Sequence, residues 1–460
     1  MFSKILLLSL MTLSTSWAFA DTTSRNASKK SILELVDDGY YFSVVPWMKE
    51  YLVQSDRNLD REIEATLDKM LYVTGVKPFE SLPEEILKRS RSGNIRYILA
   101  KRLFRKGKAK EALSELAGIK SDHSAYPFVS HLKATIHSSL NNHSEAEAHF
   151  KDCIRVSENR LGKVESLVQR SQLETNRDYC IAGIGRVQFA KRDFRKSEVS
   201  YLDIPKDSFV WPEILFDEAW ASYYVKNYNR TLGKLISYKA PVFDFIFKPE
   251  VEVLKALTYL KMCLYQDAKK TVDDFYSDLL TPSRDLRTHL LAHGKDYRHY
   301  YSLMSDYEER RDSPQPIINS ILKSIRKDAA FLEMKSAITA SIEEYNRLKS
   351  KPATRMTTAQ IRNIKTLMDE YRSTLGAYVR AGMVSKYAEL YTAFEGMSYI
   401  KLEVLAQRKE KLYQTDSVEG SKRGDVKYIE RNDKQYFWTF NGEFWADELG
   451  DYVFALRSEC

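Results

Sequence analysis

Residues 100–119 read AKRLFRKGKAKEALSELAGI and residues 134–153 read ATIHSSLNNHSEAEAHFKDC, and the two lines keep step. Ala100, Leu103, Gly107, Ala112, Leu116 and Ile119 are answered 34 positions later by Ala134, His137, Asn141, Ala146, Phe150 and Cys153. A second pair holds the same step, with Gly185, Phe194, Ser197, Tyr201 and Ile204 recurring as Ala219, Tyr228, Thr231, Leu235 and Tyr238. A fifth copy follows 37 residues on (219 to 256, 231 to 268), carrying Ala256, Tyr259, Tyr265, Ala268, Val272 and Phe275. Between the second and third copies the step is 51 (146 to 197), one period plus 17, and the surplus falls in the polar stretch from Val156 to Asn176, where it lengthens the helices. A fixed period of this size marks stacked supersecondary units.

Packing explains the pattern. Small residues at Ala100, Ala134, Gly185, Ala219 and Ala256 let the two helices of a hairpin approach closely, and the second small position does the same for the next unit. The aromatic and aliphatic positions fill the space between. The expected fold is therefore all-α, a solenoid of helical hairpins.

These residues resemble the tetratricopeptide repeat, whose 34-residue pattern holds a small residue, an aromatic, a turn, a second small residue and a large apolar one. The resemblance covers about 180 of the 460 residues, 95 to 275. The turn glycine survives only as Gly107, Glu218 stands beside the small residue of the fourth copy, and Pro127, Pro205 and Pro241 do not share one repeat position.

Working outward, Lys4 precedes the apolar run Ile5 to Leu13, and Ala18-Phe19-Ala20 supplies the small residues a signal peptidase needs. This predicts an export signal over residues 1–20 cleaved after Ala20, and a periplasmic chain. The apolar core is too short to span about 30 Å of hydrocarbon. Removing Lys4 leaves a net charge of +7 (8 minus 1), mixed with many acidic residues, which speaks against nucleic acid as a partner.

Residues 21–93 carry helical spacing, as in Ile32, Leu35, Val36 and later Ile63, Leu67, Met70 and Leu71, and read as two degenerate hairpins before the repeats at 94–282. Over 283–413 the spacing predicts one helix from Leu286 to Tyr307, a long helix from Ile317 to Leu348, and another from Thr358 to Tyr413, the last two forming an antiparallel, coiled-coil-like hairpin. The apolar seam of the last helix steps 4-3-4-3 and then by five at Ala381-Gly382, which predicts a shift or kink. A polar linker (414–424) leads to an aromatic-rich tail (425–460) of period two, where Asn441-Gly442 signals a tight turn and a small β element.

The stretches Tyr179-Cys180-Ile181, Trp211 to Ala221 (WPEILFDEAWA) and Phe437 to Gly450 (FWTFNGEFWADELG) resemble a group of exported tetratricopeptide proteins from predatory and gliding bacteria. Some of that group belong to gliding-motility or envelope complexes. The resemblance implies a periplasmic assembly role and names no partner.

Signals of chemistry are thin. Gly183-Ile184-Gly185 continues without the third glycine of a phosphate loop and reads as close helix packing. His289 and His293 stand four apart, a spacing that can hold a metal, but no glutamate follows and no third ligand is evident, so neither metal nor cofactor is expected. His137, His143 and His149 are six apart and share no helical face. Cys153, late in the second repeat, and Cys180, early in the third, can be brought together by stacking. Four cysteines allow three full pairings, and free cysteines also pack well in cores, so the pairing stays open here.

First helices line the inner curve of a solenoid. Tyr97, Lys101, Phe104, Arg186, Phe189, Phe216, Trp220, Tyr223 and Tyr224 are the candidate partner-binding residues, because aromatic and Arg side chains dominate interface energies. Packing between hairpins is the competing role for each of them. The expected function is a non-enzymatic periplasmic scaffold binding protein partners of the cell envelope. The alternatives are an outer-membrane or cell-wall assembly factor, or the substrate-positioning part of an envelope hydrolase.

Overall fold

The computed structural model describes residues 28–55, 61–164, 167–310, 315–412, 429 and 431–460. The expected signal peptide with its cleavage point, and the expected linker, lie outside the described residues. Helices run in chain order as α1 (28–37), α2 (Val45–Gln54), α3 (Arg61–Thr74), α4 (Glu84–Leu87), α5 (Gly93–Arg105) and α6 (Ala109–Ala117). There follow α7 (Tyr126–Ser139), α8 (His143–Leu161), α9 (Leu167–Ala190), α10 (Phe194–Tyr201), α11 (Trp211–Tyr224) and α12 (Tyr228–Ser237). The last are α13 (Glu250–Lys261), α14 (Tyr265–His293), α15 (Tyr297–Arg310), α16 (Pro316–Arg326), α17 (Ala329–Lys349) and α18 (Arg355–Leu412), with strands β1 (Trp438–Thr439) and β2 (Tyr452–Val453). The fold is all-α, built of helical hairpins, with a small β element near its end. The chain divides into two units, 1–125 with 329–375 and 126–328 with 376–460.

Each copy read from the sequence is one hairpin: α5/α6, α7/α8, α9/α10, α11/α12 and α13/α14. The turns show why the period survives with a single glycine. Gly107, Asn141, Arg192, Lys226 and Cys263 all take positive φ, between 57° and 77°, and follow one another at the 34, 51, 34 and 37 steps of the repeat. In every turn the next amide reaches back to close the first helix: Lys108 to the Leu103 carbonyl, Asn142 to His137, Asp193 to Gln188 and Asn227 to Ser222 at 2.9 Å, and Leu264 to Tyr259 at 3.0 Å. This left-handed C-terminal closure satisfies carbonyls the helix would otherwise leave open. Side chains other than glycine hold it at a conformational cost of about 1–3 kcal/mol each. The small positions Ala100, Ala134, Ala219, Ala256, Ala112, Ala146, Ser197, Thr231 and Ala268 are all fully buried.

In the first unit, α5 starts on a Ser92 side chain that accepts from the Ile95 amide at 3.3 Å. The buried Glu344 of α17 accepts the amides of Tyr41, Phe42 and Ser43 at 2.9, 3.0 and 2.8 Å and so pins the entry to α2. Tyr371 of α18 donates to the Thr74 carbonyl at the end of α3, 2.8 Å away.

In the second unit each hairpin packs on the first helix of the next. Ala134, Ala146 and Phe150 meet Cys180 and Val187 of α9, and Phe216, Ala219 and Leu235 meet Val251 and Leu254 of α13. After the fifth hairpin the same role falls to α18: Ala256, Ala268, Val272 and Phe275 pack on Ala393, Met397, Ile400 and Val404. Each large apolar side chain buried there contributes about 1.5–3 kcal/mol. The long helix thus stands where the first helix of a sixth hairpin would.

Three expectations are corrected. Leu286 to Tyr307 is not one helix, because α14 runs through Pro282 to His293 and Gly294, at φ 48°, ends it before α15. Ile317 to Leu348 is likewise two helices, parted at Lys327-Asp328, where the Asp328 carboxylate takes a hydrogen bond from Tyr378 of α18. At Ala381-Gly382 α18 is continuous and its seam does not shift. Gly382 lies against the Ile325 side chain, and the buried stripe passes the site in steps of four, Leu375, Val379, Met383. The expected turn at Asn441-Gly442 is present, with Gly442 at φ 104°, and the small β element pairs parallel, Trp438 with Tyr452 and Thr439 with Val453.

That parallel pairing follows from where the tail sits, on the fourth hairpin. Phe454 donates to the Asn229 carbonyl at 3.1 Å, the Asn229 side chain exchanges two bonds with the Leu456 backbone at 3.0 Å, and the Gly450 amide donates to Ser237 at 2.9 Å. Lys206 reaches Asp451 at 2.7 Å. A disulfide joins Cys263, in the turn of the fifth hairpin, to Cys460, and a second joins Cys153 to Cys180.

Candidate functional site

The nine candidate residues fall in both units. On α5 of the first, Tyr97, Lys101 and Phe104 are half-buried, and the Lys101 ammonium stands 5.7 Å from the Tyr97 ring centre. Burial holds the Lys101 ammonium below its ordinary pKa and pushes the Tyr97 hydroxyl above its own.

The other six lie on α9 and α11, adjacent first helices of the second unit. Arg186 of α9 spans to α11 with its guanidinium forked over two carboxylates, Glu213 at 2.7 Å and Asp217 at 2.8 Å. The Asp217 carboxyl is pushed up by burial, against the pull of Arg186. A charge-assisted fork of this kind fixes the spacing of the two helices. Beside it, Phe189 meets Phe194 at 5.0 Å and Tyr224 at 5.4 Å edge-on, while Tyr224 stacks on Phe194 at 4.7 Å and on Trp220 at 5.9 Å. Tyr224 is 48% exposed, and Phe189, Phe194 and Trp220 are half-buried. Phe216 and Tyr223 are buried against Val251 and Leu254 of α13. The structure therefore brings Arg186, Phe189, Trp220 and Tyr224 to one accessible face and assigns Phe216 and Tyr223 to packing. An aromatic ledge flanked by a fixed ion cluster suits a peptide segment carrying an apolar anchor and a charge.

Two features escaped the sequence reading. The tail closes a cleft of about 360 Å³ over the third and fourth hairpins, where Tyr201 and Trp211 face Trp438, Lys434 and Asp451. Nothing local in the tail announces which hairpin it docks on. The third imidazole beside His289 and His293 is His299. On one continuous helix the ten-residue step from His289 would carry His299 to another face; the break at Gly294 returns it.

No protein-family model matches the chain, and no curated protein matches it. Among solved structures the chain is similar to the Rap conjugation gene regulator of the plasmid pLS20, in complex with the Phr* peptide, at 9% identity and a TM-score of 0.27, over 76% of this chain and 96% of that one.

Proposed function

We propose that this protein is a tetratricopeptide-like interaction scaffold of the cell envelope, working in the periplasm and joining two or more partner proteins. The observation that carries the scaffold reading is the outward side of α18. A solenoid normally ends on a polar face. Here the helix in the sixth-hairpin position exposes Tyr391 (67%), Tyr399 (66%), Leu402 (65%) and Leu405 (50%). Exposed apolar patches of this kind mark interaction surfaces. The ledge at Phe189, Trp220 and Tyr224 supplies a second one.

The address rests on the export signal read at residues 1–20 and on cysteine usage, since all four cysteines are consumed in two bridges, as suits an oxidising compartment. No helix among the described residues is long and apolar enough to cross a membrane. A place in a gliding-motility complex is the narrower form of this reading and rests on the resemblance of the Trp211 and Phe437 stretches.

The test is a photo-crosslinking residue placed at Tyr399 and, separately, at Tyr224 in the native organism. A discrete adduct with a second protein is expected from each position and should vanish from position 399 when Leu402→Asp is added. Absence of any adduct from both positions, with the protein present at normal level, would remove the scaffold reading.

A further inference from the structure

The end of α14 and the start of α15 gather three of the chain's eight histidines. His289 and His293 occupy the last turn region of α14, and His299 the first turn of α15, after a reversal through Gly294. The Nε2 atoms of His289 and His299 are 3.2 Å apart, and the rings of His293 and His299 lie parallel with centres 3.5 Å apart. One ligand nitrogen from each ring falls within 4.8 Å of the others. All three side chains are half-buried, so an ion can reach them.

Coordination geometry gives these distances meaning. Zinc binds imidazole nitrogen at about 2.0–2.1 Å, which in a tetrahedron separates two ligand nitrogens by about 3.3–3.4 Å. The His289–His299 pair already holds that spacing. Parallel rings do not aim their nitrogens at one point, but the second side-chain torsion of histidine is broad and roughly two-fold, so a rotation of His293 converges the set. Neutral imidazoles are the form a metal takes. Asp296 is committed elsewhere, its Oδ1 accepting the His299 amide at 3.2 Å as the cap of α15.

We propose that His289, His293 and His299 bind one borderline divalent cation of the zinc class, with water in the fourth position, and that the ion clips α14 to α15. The clip has a mechanical consequence. Arg380 of α18 donates to the Gly294 carbonyl, and a Cβ at Gly376 would overlap the Tyr297 carbonyl. The turn carrying the histidines is thus the turn on which α18 rests, and metal occupancy stiffens the support of the last helix in the stack.

The experiment is calorimetric titration of zinc chloride into the untagged full-length chain after removal of metal by a chelator, paired with thermal melts. Expected are one zinc per chain, a raised melting midpoint with zinc, and a loss of affinity greater than about tenfold in each of His289→Ala, His293→Ala and His299→Ala. The control, His137→Ala with His149→Ala, should bind as the parent does. Cobalt(II) should give the visible absorption of a tetrahedral ion in the parent and lose it in His299→Ala. No saturable zinc binding, or binding unchanged in the three single variants, overturns the proposal. Three separate single variants, each melted with chelator present, keep a folding failure in any one of them from deciding the result.

Discussion

The carbonyl oxygen of Tyr452 occupies the place where a Cβ would stand on Gly233. Backbone touches backbone there, so the tail lies directly on α12 with no side chain between. Gly233→Ala should force the tail off this seat and cost about 1–3 kcal/mol through overpacking. Amide exchange over 438–456 is the measurement, and exchange rates equal to the parent's would show that the contact does not hold the tail.

Glu344 answers three backbone amides at once. Glu344→Ala strands them where water is excluded, and a loss of about 2–4 kcal/mol in denaturant unfolding is expected. Glu344→Gln, which keeps one acceptor, should lose less. Glu343→Ala, at an exposed position on the same helix, should lose almost nothing.

The two disulfides close loops of very different size, with sequence separations of 27 and 197. If chain entropy governs their effect, the double variant Cys263→Ala with Cys460→Ala should lose about 1.8 kcal/mol more than Cys153→Ala with Cys180→Ala. Equal losses would place the effect in native packing, where Cys153 and Cys180 are both fully buried.

His131 lies between the Phe150 and Tyr179 rings and bonds Asn176 at 2.9 Å. Burial holds its pKa below the ordinary 6.5, against the Asn176 bond and with the nearby Arg186 charge. Below that pH the unfolded chain takes up the proton while the folded ring stays neutral, so stability is full above about 6.5 and declines as pH falls. Replacing His131 with Gln should flatten the decline in melting midpoint between about pH 7 and pH 5, and an unchanged slope would assign it to other groups.

Arg192 and Lys226 hold left-handed backbone at φ 63° and 65°. Glycine relieves that strain of about 1–3 kcal/mol but gives up chain entropy of about 0.5–1 kcal/mol, so Arg192→Gly and Lys226→Gly should each stabilise by about 0.5–2 kcal/mol net. Melts that fall instead would show that the side chains do more than tolerate the turn.

What the amino-acid order determined by itself was everything carried by short-range repetition. The spacing of Ala100, Ala112 and Leu116 against Ala134, Ala146 and Phe150, with the same kind of match at Ser197, Thr231 and Ala268, sufficed to place five hairpins, because helix periodicity and small-residue contacts act within one repeat and its neighbour. The turns at Arg192 and Lys226, which lack glycine, were not read from the sequence, although they fall on the same step. Tertiary structure alone decided three things. It set α18 on the fifth hairpin, where Met397 and Val404 meet Val272 and Phe275 across more than a hundred residues of chain. It pressed the tail onto Gly233 and chose a parallel pairing over the hairpin that Asn441-Gly442 favours locally. It also split the candidate face, sending Phe216 and Tyr223 inward to α13 while leaving Tyr224 exposed. In each case the governing contact is long-range, and apolar periodicity reports that a face is buried without saying which partner buries it.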